Sequence, residues 1–450
     1  MAENLNMTRG KPMRLLFSFA LPLMFGNVFQ QLYTVVDTAI VGQGVGIDAL
    51  AALGTVDWLN WLFLGIAQGF TGGFSVRIAQ AFGRNDRKAM GRYCGQSAFL
   101  SVVIAILGMV LGQALLPVFL QLMQVPIDLR PQGTLYMRIM LAGFPAVMFF
   151  NYCSSLLRSV GNSKTPLMAM IVASITNIVL DAVAVLLLDK GIAGAAVATV
   201  IAQALSGLIC AIKILKTPEL HFHKADWKPQ GELCRDLIFI GAPVAAKNVI
   251  IALGGMVVQT VVNRVDMSFI AGFTATNKLY GLLEIAATSY GYAVTTFVGQ
   301  NYGAGKLDRV KKGMTAATTL ALATSAAIAV LMIVFGRPIT MIFISREDPV
   351  LALAAGEVAY IYLFAMSVSL PVLYLLYVYQ SGLQGMGNTL MPMASGILEF
   401  ILRVSLSILV GYTGFRYGIC GAEVSAWWGA AIFLMISYFI VYKRNAKRLQ

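Results

Sequence analysis

Twelve long apolar stretches constrain this 450-residue chain more than anything else in its sequence. They run at roughly 13–41, 51–77, 93–120, 134–157, 165–188, 192–213, 237–263, 270–298, 313–343, 355–380, 390–411 and 418–442. A helix needs about 20 mostly apolar residues to cross a bilayer. The runs are continuous rather than alternating, which suits membrane helices and not barrel strands. Composition points the same way. Charged residues make up 12 % of the chain and hydrophobic ones 58 %, whereas a soluble domain is about 25 % charged. A soluble enzyme, a disordered chain and a disulfide scaffold are thereby excluded; the five cysteines are dispersed and form no CxxC pair. The first stretch is too long for a cleaved leader and contains Asp37. The expected fold is an all-α polytopic membrane protein with twelve transmembrane helices.

The net charge of +13 looks at first like a nucleic-acid signal, but its location says otherwise. Of the 33 Lys and Arg residues, 23 lie in one set of alternating loops together with both termini. The opposite set holds six: Arg130, Lys190, Arg264, Arg337, Arg346 and Arg416. Such bias sets orientation, so both termini are expected in the cytoplasm and no nucleic-acid partner is expected.

An internal repeat divides the chain. Pro22 pairs with Pro243 and Pro117 with Pro338 at an offset of 221; Pro126 pairs with Pro349 at 223; Pro145 pairs with Pro371 and Pro166 with Pro392 at 226. Ten of the 14 prolines fit this register. Gln80 to Gly83 matches Gln300 to Gly303, Gly161-Asn162 matches Gly387-Asn388, and Gly191 to Ala195 matches Gly418 to Ala422. Six spans per half keep both halves in one orientation, related by an axis along the membrane normal. The expected organisation is an N-terminal six-helix lobe at 1–213, a cytoplasmic linker at 214–236 and a C-terminal six-helix lobe at 237–450. The linker carries the only histidines, His221 and His223. Without further ligands nearby, this pair reads as a solvated loop rather than a metal site.

Ionisable residues inside a bilayer are costly and functional by default. The candidates are Asp37, Asp181, Glu284, Glu399 and Glu423, with Asp57 nearer an end. In the repeat register Asp37 aligns near Val258, Asn177 and Asp181 with Arg403 and Ser407, and Thr199 with Ala426. The N-terminal half thus carries acids its twin lacks. Met170, Ser174, Asn177 and Asp181 share one helical face, and so do Gln30, Thr34 and Asp37. Each polar stripe ends in a carboxylate. Two such acids facing one another in a low-dielectric cavity would hold a proton between them, or accept Na⁺ if enough oxygens surround it. Pro22 and Gly26 make the first span a bending element. Elsewhere, Glu399 and Arg403 are expected to neutralise one another as i, i+4 neighbours, and Glu423 to complement a helix dipole. Glu284 has no local partner; Lys247 and Lys278 are its candidate counter-ions, or else snorkel to an interface.

These residues resemble a known family. The paired six-span repeats are similar to the multidrug and toxic compound extrusion transporters. So are Ala20-Leu-Pro22 with Asp37 and Val41-Gly42, Val298-Gly-Gln300-Asn301 with Gly303-Ala-Gly305, and Gly194-Ala-Ala with Thr199. The resemblance covers essentially the whole chain. It implies a V-shaped pair of lobes around a central cavity and export of drug-like, often cationic compounds against inward H⁺ or Na⁺ flow. It also implies a coupling site of Asp37, Tyr136, Asn177, Asp181 and Thr199, and substrate contacts at Gln30, Met170 and Ser174. Branches coupled through the C-terminal lobe carry acids on spans 7 and 10. Here span 7 has Lys247 and span 10 only Glu357 near its outer end, which argues against that mode.

The expected function is a secondary-active multidrug antiporter of the bacterial plasma membrane, acting as a monomer, with Thr34 and Glu284 as further substrate contacts. It needs no cofactor beyond the coupling ion. A lipid-linked oligosaccharide flippase is the alternative, but its cavity should carry more cations than Arg138. An enzyme is not expected, since no HExxH or Gly-x-Ser-x-Gly motif occurs, nor is a nucleotide-driven pump, since no Walker A loop does. Channel-type selectivity repeats are not visible either.

Overall fold

The computed structural model describes residues 5–123, 125–344, 349–413 and 417–449, and these are helical, with no strand among them. The loop cations Arg346 and Arg416 lie outside the described residues. The first half comprises α1 (Pro12–Gly44), α2 (Ile47–Gly83), α3 (Arg87–Leu122), α4 (Arg130–Ala142), α5 (Phe144–Ser159), α6 (Lys164–Asp181) and α7 (Gly191–Leu215). The second comprises α8 (Gly231–Val262), α9 (Met267–Gly303), α10 (Leu307–Thr340), α11 (Pro349–Gly385), α12 (Leu390–Thr413) and α13 (Gly418–Leu449).

Ten of these helices are long and apolar enough to cross a membrane, and eleven spans result when α4 and α5 count as one broken span. That break, a 46° bend, falls where Gly143 is followed by Phe144 and Pro145. The missing amide of Pro145 costs nothing at a helix start, so the chain restarts there in a new direction. The remaining expected span, 270–298, is helical within the 37-residue α9, but Asn277, Lys278 and Glu284 leave it too polar to pass the same test.

The described residues form two compact units. One holds 5–7 with Leu21–Ala246; the other holds Thr8–Ala20 with Lys247–Leu449. The start of α1 therefore belongs with the second half of the chain, and the start of α8 with the first. The expected linker, 214–236, lies within the first unit. It is fastened there by Gln96 of α3, which is fully buried. The Gln96 amide donates to the carbonyls of Asp226 (2.6 Å) and Lys228 (2.7 Å) and accepts from the Gln230 N–H at 2.9 Å. His221 bonds the Leu215 carbonyl at 2.9 Å through its ring, whereas His223 donates its backbone N–H to Asp226. Arg77 of α2 donates to Asp236 at 2.8 Å, anchoring the start of α8. Gly69 and Gly73 let α2 and α8 touch backbone to backbone: a Cβ on either would meet Ala245 or Gly241 within 2.5 Å. In the second unit, Lys306 and Arg309 donate to the carbonyls of Thr8 (3.2 Å) and Gly10 (3.0 Å).

The repeat read from prolines recurs in backbone detail. Gly161 and Gly387 both adopt positive φ, +87° and +84°, where a side chain would be strained. The asparagine after each caps the next helix: Asn162 accepts the Thr165 N–H at 3.0 Å and Asn388 the Met391 N–H at 3.2 Å. Three of the cysteines, Cys94, Cys153 and Cys210, are free and sit in one apolar cluster of the first unit as small hydrophobes.

Candidate functional site: a small cavity and a nearby carboxylate pair

The site lies in the first unit, where α1 packs along α6. Gly26 makes this close approach, since a Cβ there would come within 3.1 Å of Met170 Sδ. Farther along, Gly44 lies against Val185 and Leu186. Both contacts ascend together, so the two helices run parallel and bring their polar stripes onto a shared seam. Asp181 closes α6, and the chain continues from Ala182 to Leu187 as a turn of π-helix. One extra residue per turn widens the ladder directly after the carboxylate, a local distortion that often marks functional sites.

Between the helices is a small cavity. Its walls are Gln30 and Tyr33 from α1, Phe150 from α5, Met170, Ala173, Ser174 and Asn177 from α6, and Thr199, Ala202, Gln203 and Ser206 from α7. Of the residues expected from sequence, Gln30, Met170, Ser174, Asn177 and Thr199 thus line one space. The Asn177 amide reaches the Thr199 hydroxyl at 3.4 Å, joining α6 to α7. Ser174 donates to its own helix, at the Met170 carbonyl (2.8 Å).

The carboxyl groups of Asp37 and Asp181 lie within hydrogen-bonding reach of each other. Asp181 is fully buried. Asp37 Oδ1, both Asp181 oxygens and Asn177 Oδ1 are buried without a donor among the described residues. Two ionised carboxylates have only acceptors to offer, so they bond each other only when one is protonated. Tyr136 of α4 feels the charge of both aspartates and packs on the apolar cluster that contains Val41 and Val185. The five residues implied as a coupling site are therefore neighbours, on α1, α4, α6 and α7.

Other expected contacts lie elsewhere. Thr34 donates to the Gln30 carbonyl at 3.0 Å and is not part of the cavity wall. Glu284 is in the second unit, where the Tyr377 hydroxyl donates to it and Lys247 is a charged neighbour; Lys278 is exposed. Arg403 does not pair with Glu399 as helical spacing suggested. It bridges to Glu423 of α13 at 2.7 Å, with Glu399 left as an electrostatic neighbour of the guanidinium. Glu423 is accordingly an ion-pair partner rather than a dipole complement.

Sequence reasoning missed Tyr33, Phe150, Ala202, Gln203 and Ser206. Thr199, Gln203 and Ser206 have the same i, i+4, i+7 spacing as the stripes on spans 1 and 5, so this third stripe was available to the same test. The π-turn after Asp181 has no sequence signal.

Long apolar helices in a repeated arrangement, with a small cavity and buried carboxylates in one unit, define a multi-pass membrane protein. The MatE family pattern matches residues 22–183 and 243–409, and the chain belongs to this family. The probable multidrug resistance protein YpnP of Bacillus subtilis is 27 % identical over 417 residues, 92 % of each chain. The probable multidrug resistance protein NorM of Thermotoga maritima is 25 % identical over 419 residues, 91 % of this chain and 88 % of its own. Among solved structures, an outward-facing multidrug resistance MATE family transporter of the MOP superfamily superposes with a TM-score of 0.90 at 21 % identity, covering 99 % of both chains.

Proposed function

We propose that the chain is a secondary-active efflux antiporter. It exports drug-like cationic compounds in exchange for H⁺ or Na⁺ across a bacterial inner membrane, with both termini in the cytoplasm. The observation that carries this reading is the Asp37–Asp181 pair beside the cavity, with its buried oxygens lacking donors. Like charges held this close in a low-dielectric site demand a counter-cation. A proton, Na⁺ or the positive group of a substrate meets that demand, and only one of them does so at a time. Competition of this kind is what antiport requires: binding of one cation displaces the other, and each favours its own access state.

The family relationship supports the same reading, since its relatives in Bacillus subtilis and Thermotoga maritima are named as probable multidrug resistance proteins. Uptake of the coupling cation removes the repulsion between the two aspartates and lets α1 settle against α6. Pro22 and Gly26 let α1 change its course while the cavity wall at Met170 moves with it. Dye efflux from vesicles, with a pH gradient and a Na⁺ gradient imposed separately, tests the proposal. One gradient is expected to drive efflux by the parent protein and not by Asp37→Asn. Normal gradient-driven efflux by Asp37→Asn would overturn the coupling assignment, and efflux under neither gradient would overturn antiport itself.

A further inference from the structure

The internal repeat makes the second unit a residue-by-residue counterpart of the first. In its register Gly26 corresponds to Lys247, Met170 to Gly396, Ala173 to Glu399 and Asn177 to Arg403. The first unit sets Gly26 against Met170 and has a cavity bounded by Ala173 and Asn177. In the second unit the matching helices, α8 and α12, set Lys247 against Gly396: a Cβ on Gly396 would lie 2.6 Å from Lys247 Cγ. Large and small residues have changed places. Where the first unit has a cavity wall, the second has Lys247, Glu399 and Arg403, which are 6 %, 5 % and 6 % exposed.

Charges from every neighbouring helix meet there. Tyr280 and Glu284 face the cluster from α9, Tyr377 from α11 and Glu423 from α13. Three carboxylates thus accompany two cations. Arg403 is committed to Glu423 at 2.7 Å. Lys247 donates to Gln380 Oε1 of α11 at 2.9 Å and interacts electrostatically with both Glu399 and Glu284. Glu284 accepts the Tyr377 hydroxyl. Glu399 Oε1 is buried and has no donor among the described residues. One negative charge is therefore in excess, and Glu399 is the carboxylate with least support. A buried carboxylate without its own counter-charge is neutralised instead.

We propose that Glu399 carries a bound proton, so that this cluster is a second proton-holding site with Lys247 as its built-in cation. The only bond formed is the O–H of Glu399, with a proton taken from water. The cluster is then neutral: Lys247 balances Glu284, and Arg403 balances Glu423. The site is separate from the Asp37–Asp181 pair and stands whether or not that pair couples transport.

Infrared spectroscopy of the full-length protein in detergent at neutral pH tests it, in an Asp37→Asn/Asp181→Asn background that silences the other pair. A protonated-carboxyl C=O band is expected to remain there, to shift in D₂O and to be lost on adding Glu399→Gln. Adding Lys247→Met instead is expected to raise a second such band, because Glu284 then loses its counter-ion. The proposal is overturned by absence of the band in the double variant, by its survival in Glu399→Gln, by its loss in Glu284→Gln instead, or by no gain in Lys247→Met. Glu399→Gln has nearly the shape of the protonated acid. Loss of monodisperse elution in that variant alone would mean the position holds a charge, and would also count against the proposal.

Discussion

Replacing Asp181 with Asn removes one charge from the buried pair and leaves the cavity lining intact. Asp181 is fully buried and its oxygens have no donor among the described residues, so its charge acts chiefly on Asp37. Two unit charges about 4 Å apart interact by about 4 kcal/mol at an effective dielectric constant of about 20. On the proposed reading, that repulsion is relieved when a cation arrives and so drives cation uptake. Asp181→Asn abolishes it, and 4 kcal/mol corresponds to roughly a thousandfold loss in cation occupancy at a given concentration. Gradient-driven dye efflux in inverted vesicles is therefore expected to fall to background. Insertion and elution should be unchanged, because Asn keeps the shape of Asp and removes a buried charge. Dye affinity measured without a gradient separates the two halves of the proposed cycle: the proposed contacts to Gln30, Met170 and Ser174 should persist, while the electrostatic attraction of a cationic dye weakens. Efflux by Asp181→Asn within about twofold of the parent would refute the idea that repulsion between these carboxylates drives uptake.

Three further outcomes follow from packing and hydrogen bonding. Gly26→Val is expected to lower both efflux and thermal stability, since its Cβ meets Met170 Sδ at 3.1 Å and further atoms follow, and overpacking costs about 1–3 kcal/mol; Met170→Ala in the same chain should restore stability, as read by the melting temperature. Glu423→Gln should destabilise modestly, because Glu399 can ionise and take over Arg403, whose guanidinium cannot lose its proton. Adding Glu399→Gln strands that buried cation at about 3–5 kcal/mol, so the double variant should lose more than the sum of the singles, and an additive result in thermal unfolding would contradict the shared-partner picture. Gln96→Leu removes three hydrogen bonds to the segment 226–230, each contributing about 1 kcal/mol, so limited proteolysis should cut that segment faster while the helices stay intact.

Much of the site was legible in the sequence because helical periodicity is local. Residues three, four and seven apart share a face whatever surrounds them, so Gln30 with Asp37, and Met170 with Asp181, could be placed on common stripes. The proline register likewise paired Gly161-Asn162 with Gly387-Asn388, and the structure gives both pairs the same positive φ and Asn cap. The Glu399–Arg403 expectation failed for the complementary reason. Spacing along one helix shows which groups are near in the chain, and says nothing of the α13 carboxylate that competes for the guanidinium from outside.

By itself, then, the sequence determined the apolar helices, the repeat, the charge bias of the loops and the polar stripes. All of these follow from chain-local periodicity and from the cost of polar groups in a bilayer. Only the tertiary structure decided that the fourth span breaks at Gly143 and that a π-turn follows Asp181. It alone decided that the starts of α1 and α8 belong to the units formed by the opposite halves of the chain. It also decided what occupies equivalent places in the two halves: a cavity where Gly26 meets Met170, and a buried charge cluster where Lys247 meets Gly396. Side-chain volumes on facing helices have to be complementary. That condition joins residues about 150 positions apart, and no pattern within a single helix encodes it.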